Sequence, residues 1–347
     1  MSSLVSALRS KLASRADYER LIAYTNLKEV LDFFQDRYGL LVIYRQPGDE
    51  LQLQRSITSN YYRVAKLVRS FSTPGLRKVI NAILEKEDLE LLASILKAIA
   101  EGAEPETISS QLVPAGGYDE DRIKKLAETR SVRRAAESLE DRELRESILA
   151  AISEPGIDTK AAVDLSIQGV YAKRLWRTVK TFLTGLHTES AQRILGQRLD
   201  LQNILLVVRS RSLGVSSKVI QSFLLPVHYR LQQSTIEEMA GLSSLTDIFR
   251  HISTTSYQRA MASYEQISRS ELEISSLETS FNRYLADQCF RAFAGWRFSA
   301  GLVVAFLFLK LFETNDLKAI LTGKVKSIPP SLIWRDIVLH PQLAGQR

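Results

Sequence analysis

Three acidic residues, Asp88, Asp200 and Glu313, stand 112 and 113 positions apart, each at the same point of the same apolar pattern. Four residues beyond each acid comes Leu92, Ile204 or Leu317. Seven beyond comes Ile95, Val207 or Ile320, and eight beyond comes Leu96, Val208 or Leu321. Those offsets fall on one face of an α-helix. Fourteen residues after the first two acids stand Gly102 and Gly214, at positions suited to a helix C-cap. Twenty-six after them come Leu112-Val113-Pro114 and Leu224-Leu225-Pro226, with Leu339-His340-Pro341 as a slightly later third counterpart. The front of the unit recurs as well. Leu21, Thr25 and Leu27 are answered by Leu126, Arg130 and Val132, and again by Met239, Ser243 and Leu245. Between front and back, Tyr61, Tyr171 and Tyr284 are 110 and 113 positions apart.

A fixed long period of this kind is the signature of a repeat architecture. The chain is therefore expected to be all-α, built from three divergent helical-bundle repeats over residues 1–116, 117–230 and 231–347. Three like units in one chain suggest a funnel or bowl with pseudo-threefold symmetry and a central hollow. Local signals agree with helices. Asn26 followed by Glu29 reads as a capping box, Leu27, Val30, Leu31 and Phe34 form the stripe behind it, and Gly39 ends it. After Pro74-Gly75 an apolar stripe runs to Gly102, a helix of about 26 residues or roughly 40 Å. Only Leu40-Leu41-Val42-Ile43-Tyr44 reads as a strand.

Composition narrows the function. Charged residues make up 24% and hydrophobic residues 45%, which is a folded rather than a disordered chain. Lys and Arg number 46 against 39 Asp and Glu, a net charge of +7. That balance fits an acidic protein face or anionic lipid. The basic clusters lack the interleaved aromatics of a base-stacking platform, so nucleic acid is not an expected partner. The single cysteine, Cys289, rules out an internal disulfide and reads as a core residue beside Phe290. The longest apolar run, Phe298–Leu309, is too short for a membrane span, which needs about 20 residues, and reads as a buried helix.

The sequence carries none of the familiar catalytic constellations. Gly323-Lys324 lacks the upstream Gly of a phosphate-binding loop, and there is no G-x-G-x-x-G, H-E-x-x-H or Glu-x-x-His. His187, His228, His251 and His340 are scattered singly. Gly241-Leu242-Ser243-Ser244-Leu245 lacks the closing Gly of a nucleophile elbow. Asp119-Glu120-Asp121 is a lone acidic cluster, whereas an all-helical prenyl-transfer enzyme needs two facing ones; a cap and dipole role is simpler.

The segment Gly295-Trp296-Arg297-Phe298-Ser299-Ala300-Gly301, the apolar helix after it, and Glu313-Thr314-Asn315-Asp316-Leu317 followed by Gly323-Lys324 resemble the C-terminal signature of the C subunit of archaeal-type (A/V-type) rotary ATPases, the counterpart of the eukaryotic d subunit. Asp200-Leu201-Gln202-Asn203-Ile204 is similar to that family's middle block, and Leu12–Leu21 to its opening helix. Asp316 stands where the family usually shows Asn. The resemblance implies a funnel-shaped, non-catalytic central-stalk rotor subunit without cofactor or metal. It implies one copy per complex, peripheral on the cytoplasmic face of the membrane, between the central shaft subunits and the membrane proteolipid ring. It also implies torque transmission for proton or sodium transport coupled to ATP. Lys324 and Lys326 are the expected partner contacts. The competing reading is a helical-repeat scaffold for other soluble proteins.

Overall fold

The computed structural model describes residues 2–39, 50–112, 118–267, 274–295 and 299–339. The helices among them are α1 Ser2–Arg9, α2 Arg15–Ala23, α3 Leu27–Tyr38, α4 Glu50–Ser70, α5 Pro74–Ala100, α6 Pro105–Gln111, α7 Glu120–Glu128, α8 Val132–Glu137 and α9 Arg142–Ala151. They continue as α10 Thr159–Phe182, α11 Gly185–Ser212, α12 Ser217–Ser222, α13 Gln233–Gly241, α14 Leu245–Ile252, α15 Gln258–Ile267, α16 Ile274–Ala292, α17 Ala300–Val325 and α18 Pro330–Asp336. No strand is among the described elements, so the all-α expectation holds. The strand read at Leu40–Tyr44 lies outside the described residues, as do Pro114, Gly116, Gly117, Trp296–Phe298, His340 and Pro341.

The order of helix lengths recurs along the chain. A helix of 21, 24 or 19 residues (α4, α10, α16) precedes one of 27, 28 or 26 (α5, α11, α17), and a short one of 7, 6 or 7 follows (α6, α12, α18). Tyr61, Tyr171 and Tyr284 sit on the first helix of each trio, and all three are buried.

The chain divides into two compact units. One gathers Met1–Arg77, Thr184–Leu195 and Ile252–Arg347. Its centre is α17, whose residues Ala300–Thr314 are buried without interruption. A helix apolar on every side must be enclosed, and α16, α4, α1, α3 and α18 all pack against it. Two of its glycines are set by close approach. A Cβ at Gly301 would lie 2.5 Å from the Ser190 carbonyl oxygen, and one at Gly323 would lie 2.6 Å from the end of Ile333. Cys289 on α16 is buried in this unit. The other unit gathers Lys78–Leu183 and Gly196–His251. There Val79, Ile80, Leu92, Ile95 and Leu96 of α5 and Ile204, Val207 and Val208 of α11 supply core side chains. Arg174 of α10 joins it electrostatically, donating to Glu85, Asp141 and Glu143 at 2.6–2.9 Å.

Helix ends follow local chemistry. Asn26 accepts from the Glu29 amide at 2.9 Å, and Gly39 closes α3 at φ 61°. The reciprocal capping box forms one helix earlier than expected, between Ser14 and Asp17. Asp119 caps α7 by accepting from Arg122 N at 2.8 Å. The three long helices share one ending. Gly102 and Gly214 both take φ 74°, and the next amide bonds back across the turn, Ala103 to the Ala98 carbonyl and Val215 to that of Ser210. The same bond runs from Ile328 to Gly323 after α17, but the left-handed residue is Ser327 at φ 54°. All three left-handed residues lie fourteen positions beyond Asp88, Asp200 and Glu313.

Serine in the left-handed region carries a cost of about 1 kcal/mol that glycine avoids. Ser327→Gly should therefore stabilise the protein by about that amount, read as a higher urea midpoint at constant slope. An unchanged or lower midpoint would mean that the Ser327 side chain contributes as much as its backbone costs.

Candidate partner-contact site

The lower half of α17 carries the polar residues that an otherwise apolar helix has to accommodate. Glu313 is fully buried. Its Oε1 accepts from the Ala13 amide at 2.6 Å and from the Tyr38 hydroxyl at 3.0 Å, and its Oε2 takes the Lys310 ammonium. Lys310 is itself buried, one helical turn back, with its Nζ 4.9 Å from the Tyr38 ring centre. A buried charge is tolerated only when paired and hydrogen-bonded, and both members of this pair are.

Asp316, three residues on, binds a different segment. It accepts from the Val338 and Leu339 amides, both at 2.8 Å, and from the Tyr18 hydroxyl at 3.2 Å. Burial pushes its carboxyl up to about pH 7, against the opposing pull of these bonds and of the nearby Arg283 guanidinium. Arg283 in turn donates to the carbonyls of Trp334, Arg335 and Ile337, which caps α18 at its C-terminal end.

The same device works in the other unit. Asp200 is fully buried and accepts from the amides of Tyr229, Arg230 and Leu231 at 2.7–3.2 Å. Asn203 exchanges bonds with Leu225 in both directions and donates to Val227 O. Leu231 and Ala13 hold matching places: each immediately precedes the N-cap of a nine-residue helix, Gln232 of α13 and Ser14 of α2. The acid of α17 thus takes the beginning of the chain where the acid of α11 takes the segment that follows it. For the first acid the corresponding residue is Tyr118, before the Asp119 cap. Burial, reinforced by the Asp88 charge, raises its hydroxyl pKa.

Lys324 lies eleven residues beyond Glu313, as Arg211 does beyond Asp200. Its ammonium donates to the carbonyls of Ile22 at 2.5 Å and Tyr24 at 2.6 Å, at the C-terminal end of α2. Arg211 donates to Ala240 O at 2.6 Å, at the same step of α13. Burial lowers the Lys324 pKa, with Glu29 pulling the other way. Lys324 also borders a groove of about 560 Å³ with Glu19, Tyr24, Ile328, Pro330 and Trp334. Lys326, at the C-cap of α17, is exposed. The two lysines therefore differ: Lys324 is engaged inside the protein, and Lys326 points its charge to water.

Sequence reasoning singled out Glu313 and Asp200 by their period but did not find Lys310, Tyr18, Tyr38 or the Ala13 amide. The available signal was an acid with a second polar residue three positions later, Asp200/Asn203 and Glu313/Asp316, inside an apolar helix. His187, read as isolated, accepts from the Ala300 amide at 3.1 Å, and Ser190 accepts from Gly301 at 3.0 Å, so the pair caps α17.

Two outcomes are expected. Glu313→Gln strips the buried Lys310 of its counter-charge and should cost about 3–5 kcal/mol. Adding Lys310→Met should restore part of that loss; a double variant no more stable than the single would show that the ammonium is not the group left uncompensated. Asp316 holds its proton more tightly in the folded chain than its ordinary value of 3.8 implies. The stability it lends is therefore fully present below that value and is lost as pH rises through about 7. Wild type should gain about 2 kcal/mol over Asp316→Asn on going from pH 8 to pH 5.5, read as paired urea curves.

The chain's resemblances complete this picture. The profile of the ATP synthase (C/AC39) subunit family matches residues 1–335. A protein named as the C subunit of an A-type ATP synthase, from Methanocaldococcus jannaschii, is 20% identical over 330 residues, 93% of this chain and 82% of that protein. Its namesake from Methanothermobacter thermautotrophicus is 22% identical over 322 residues, covering 89% and 82%. The Pyrococcus abyssi protein of the same name is 21% identical over 321 residues, covering 91% and 83%. With nearly its whole length matched, the chain belongs to the ATP synthase (C/AC39) subunit family.

Proposed function

We propose that this protein is the central-stalk rotor subunit of an A/V-type ATP synthase or ATPase. It joins the foot of the central shaft to the membrane proteolipid ring, one copy per complex, and passes torque between them. The observation that carries this reading is the family match over residues 1–335. In the same reading the chain comprises three repeats, 1–116, 117–230 and 231–347, arranged as a funnel with pseudo-threefold symmetry, and it lies on the cytoplasmic face of the membrane. No helix among the described residues is long and apolar enough to cross a membrane, which favours a peripheral place.

The physics of the chain suits such a role. A coupler has to transmit force without yielding. Helices of 26–28 residues span roughly 40 Å, each is closed by a left-handed cap, and α11 and α17 are held by carboxylates within their length. The carboxylates Asp200, Glu313 and Asp316 spend their oxygens on amide, hydroxyl and ammonium donors of the same chain, an arrangement for holding segments rather than for acid–base chemistry. Function then rests on contacts, with proton or sodium movement and ATP chemistry performed by other subunits.

Lys324 and Lys326 are proposed as partner contacts at the end of α17, with Lys326 meeting the partner directly and Lys324 setting the groove beside it. Lys326→Glu should weaken co-sedimentation with the ring or shaft severalfold at low salt and leave the melting temperature unchanged. Lys324→Glu should lower both, because it also uncaps α2. Equal co-sedimentation of Lys326→Glu and wild type would remove Lys326 from the interface. The function itself is tested by pulling the tagged chain from gently solubilised native membranes. Recovery of shaft subunits and proteolipid is expected, and recovery of soluble proteins alone would overturn the rotor reading.

A further inference from the structure

The positive charge of this chain is concentrated. Residues 51–84 contain six Lys and Arg and no Asp or Glu, and residues 165–188 contain four and again none. In the second stretch Lys173, Arg174 and Arg177 pair with Glu85, Asp141 or Glu143 of neighbouring helices. The charge at its turn therefore rests on Lys180 and on Lys78, which reaches the Phe182 ring. Each stretch holds the turn between two long helices, α4 to α5 in the first and α10 to α11 in the second. The third such stretch, residues 288–312, also lacks acidic residues in the sequence.

Exposed apolar side chains gather at the same two turns. Among the described residues, six large hydrophobic side chains are exposed, and four of them, Leu67, Phe71, Phe182 and Leu186, flank these turns. Phe71 is 64% exposed and Phe182 is 46% exposed. Lys66 and Arg69 are exposed in the turns of α4 before Phe71, the exposed Lys78 carries its Nζ 6.0 Å from the Phe182 ring centre, and the exposed Lys180 lies over Trp176 in the preceding turn. A phenyl ring held in water between long-stemmed cations, with no acid in the stretch, has the composition of a segment that meets a headgroup layer. The ring enters the boundary between headgroups and acyl chains, and the cations pair with lipid phosphates. An acidic protein face would neutralise the cations but would give the ring at the apex no apolar seat.

We propose that the turn bearing Phe71 and the turn bearing Phe182 each bind an anionic lipid surface. Phe71 and Phe182 belong to different compact units, and each turn is argued from its own residues. Neither turn includes the lysines at the end of α17, and neither assignment depends on the rotor reading.

The test uses the purified full chain and vesicles of phosphatidylcholine with about one-third phosphatidylglycerol, against phosphatidylcholine alone. Wild type should sediment with the anionic vesicles and release as salt rises. Lys66→Glu with Arg69→Glu should lower the apparent affinity roughly tenfold or more. Phe71→Ser and Phe182→Ser should each lower it severalfold, and the double serine variant further, with melting temperatures unchanged. Equal sedimentation with both vesicle types would overturn the proposal, and so would wild-type affinity in the double serine variant. Binding that responds to the charge reversals but not to the serine variants would overturn the entry of the rings into the headgroup boundary, the feature that separates a lipid surface from any other acidic face. A failed recovery of shaft and proteolipid in the pull-down would leave these outcomes untouched, so the two readings fail separately.

Discussion

A carboxylate buried in the middle of an apolar helix has to find donors, and the donors that Glu313 finds organise the unit around it. The Ala13 amide, the Tyr38 hydroxyl and the Lys310 ammonium come from three places in the chain and converge on two oxygens. The helix cannot shift along its axis without leaving one of them unpaired, which costs on the order of a few kcal/mol. Hydrophobic burial of Ala300–Thr314 fixes that the helix is inside, but apolar contact is non-directional. Register and the position of the chain's first residues come from the carboxylate.

The neighbouring groups extend the same principle. Asp316 holds the amides of Val338 and Leu339, Arg283 caps the helix just before them, and Lys324 ties the end of α17 to the end of α2. In the other unit Asp200, Asn203 and Arg211 do the corresponding work at the corresponding spacings. Asn203 both donates and accepts with its partners, whereas Asp316 can only accept when ionised. That difference makes the α17 version sensitive to pH. These clamps join segments far apart in sequence with few side chains.

Much of the fold could be read from the residues. Proline, glycine and the spacing of Leu76, Val79, Ile80 and Ile83 placed α5 close to its observed limits, because a helix that long is specified by its own periodicity. Asn26 and Gly39 marked the ends of α3 because capping is a contact between residues near in sequence. The clamp was less legible. An acid at helical spacing looks the same whether it faces water or a buried amide, and Lys310 inside an apolar run gives no hint of its partner. Lys324 illustrates the limit: in sequence it is a cation after a glycine, while in space it serves the carbonyls of a helix some three hundred residues away. His187 was invisible for the same reason, since its partner amide is Ala300.

What this sequence determined by itself is helical class, the long period, the ends of α3 and α5 and the depth at which Ala300–Leu309 must lie. Each of these depends on backbone hydrogen bonds within a few residues or on the total apolar surface of one segment. Only the tertiary structure decided which carboxylate holds which amide and which lysine is engaged, and that α17 takes the chain's own beginning into the place where α11 takes the segment after it. Those choices depend on the direction of single hydrogen bonds between remote residues, and direction is not encoded in composition or period.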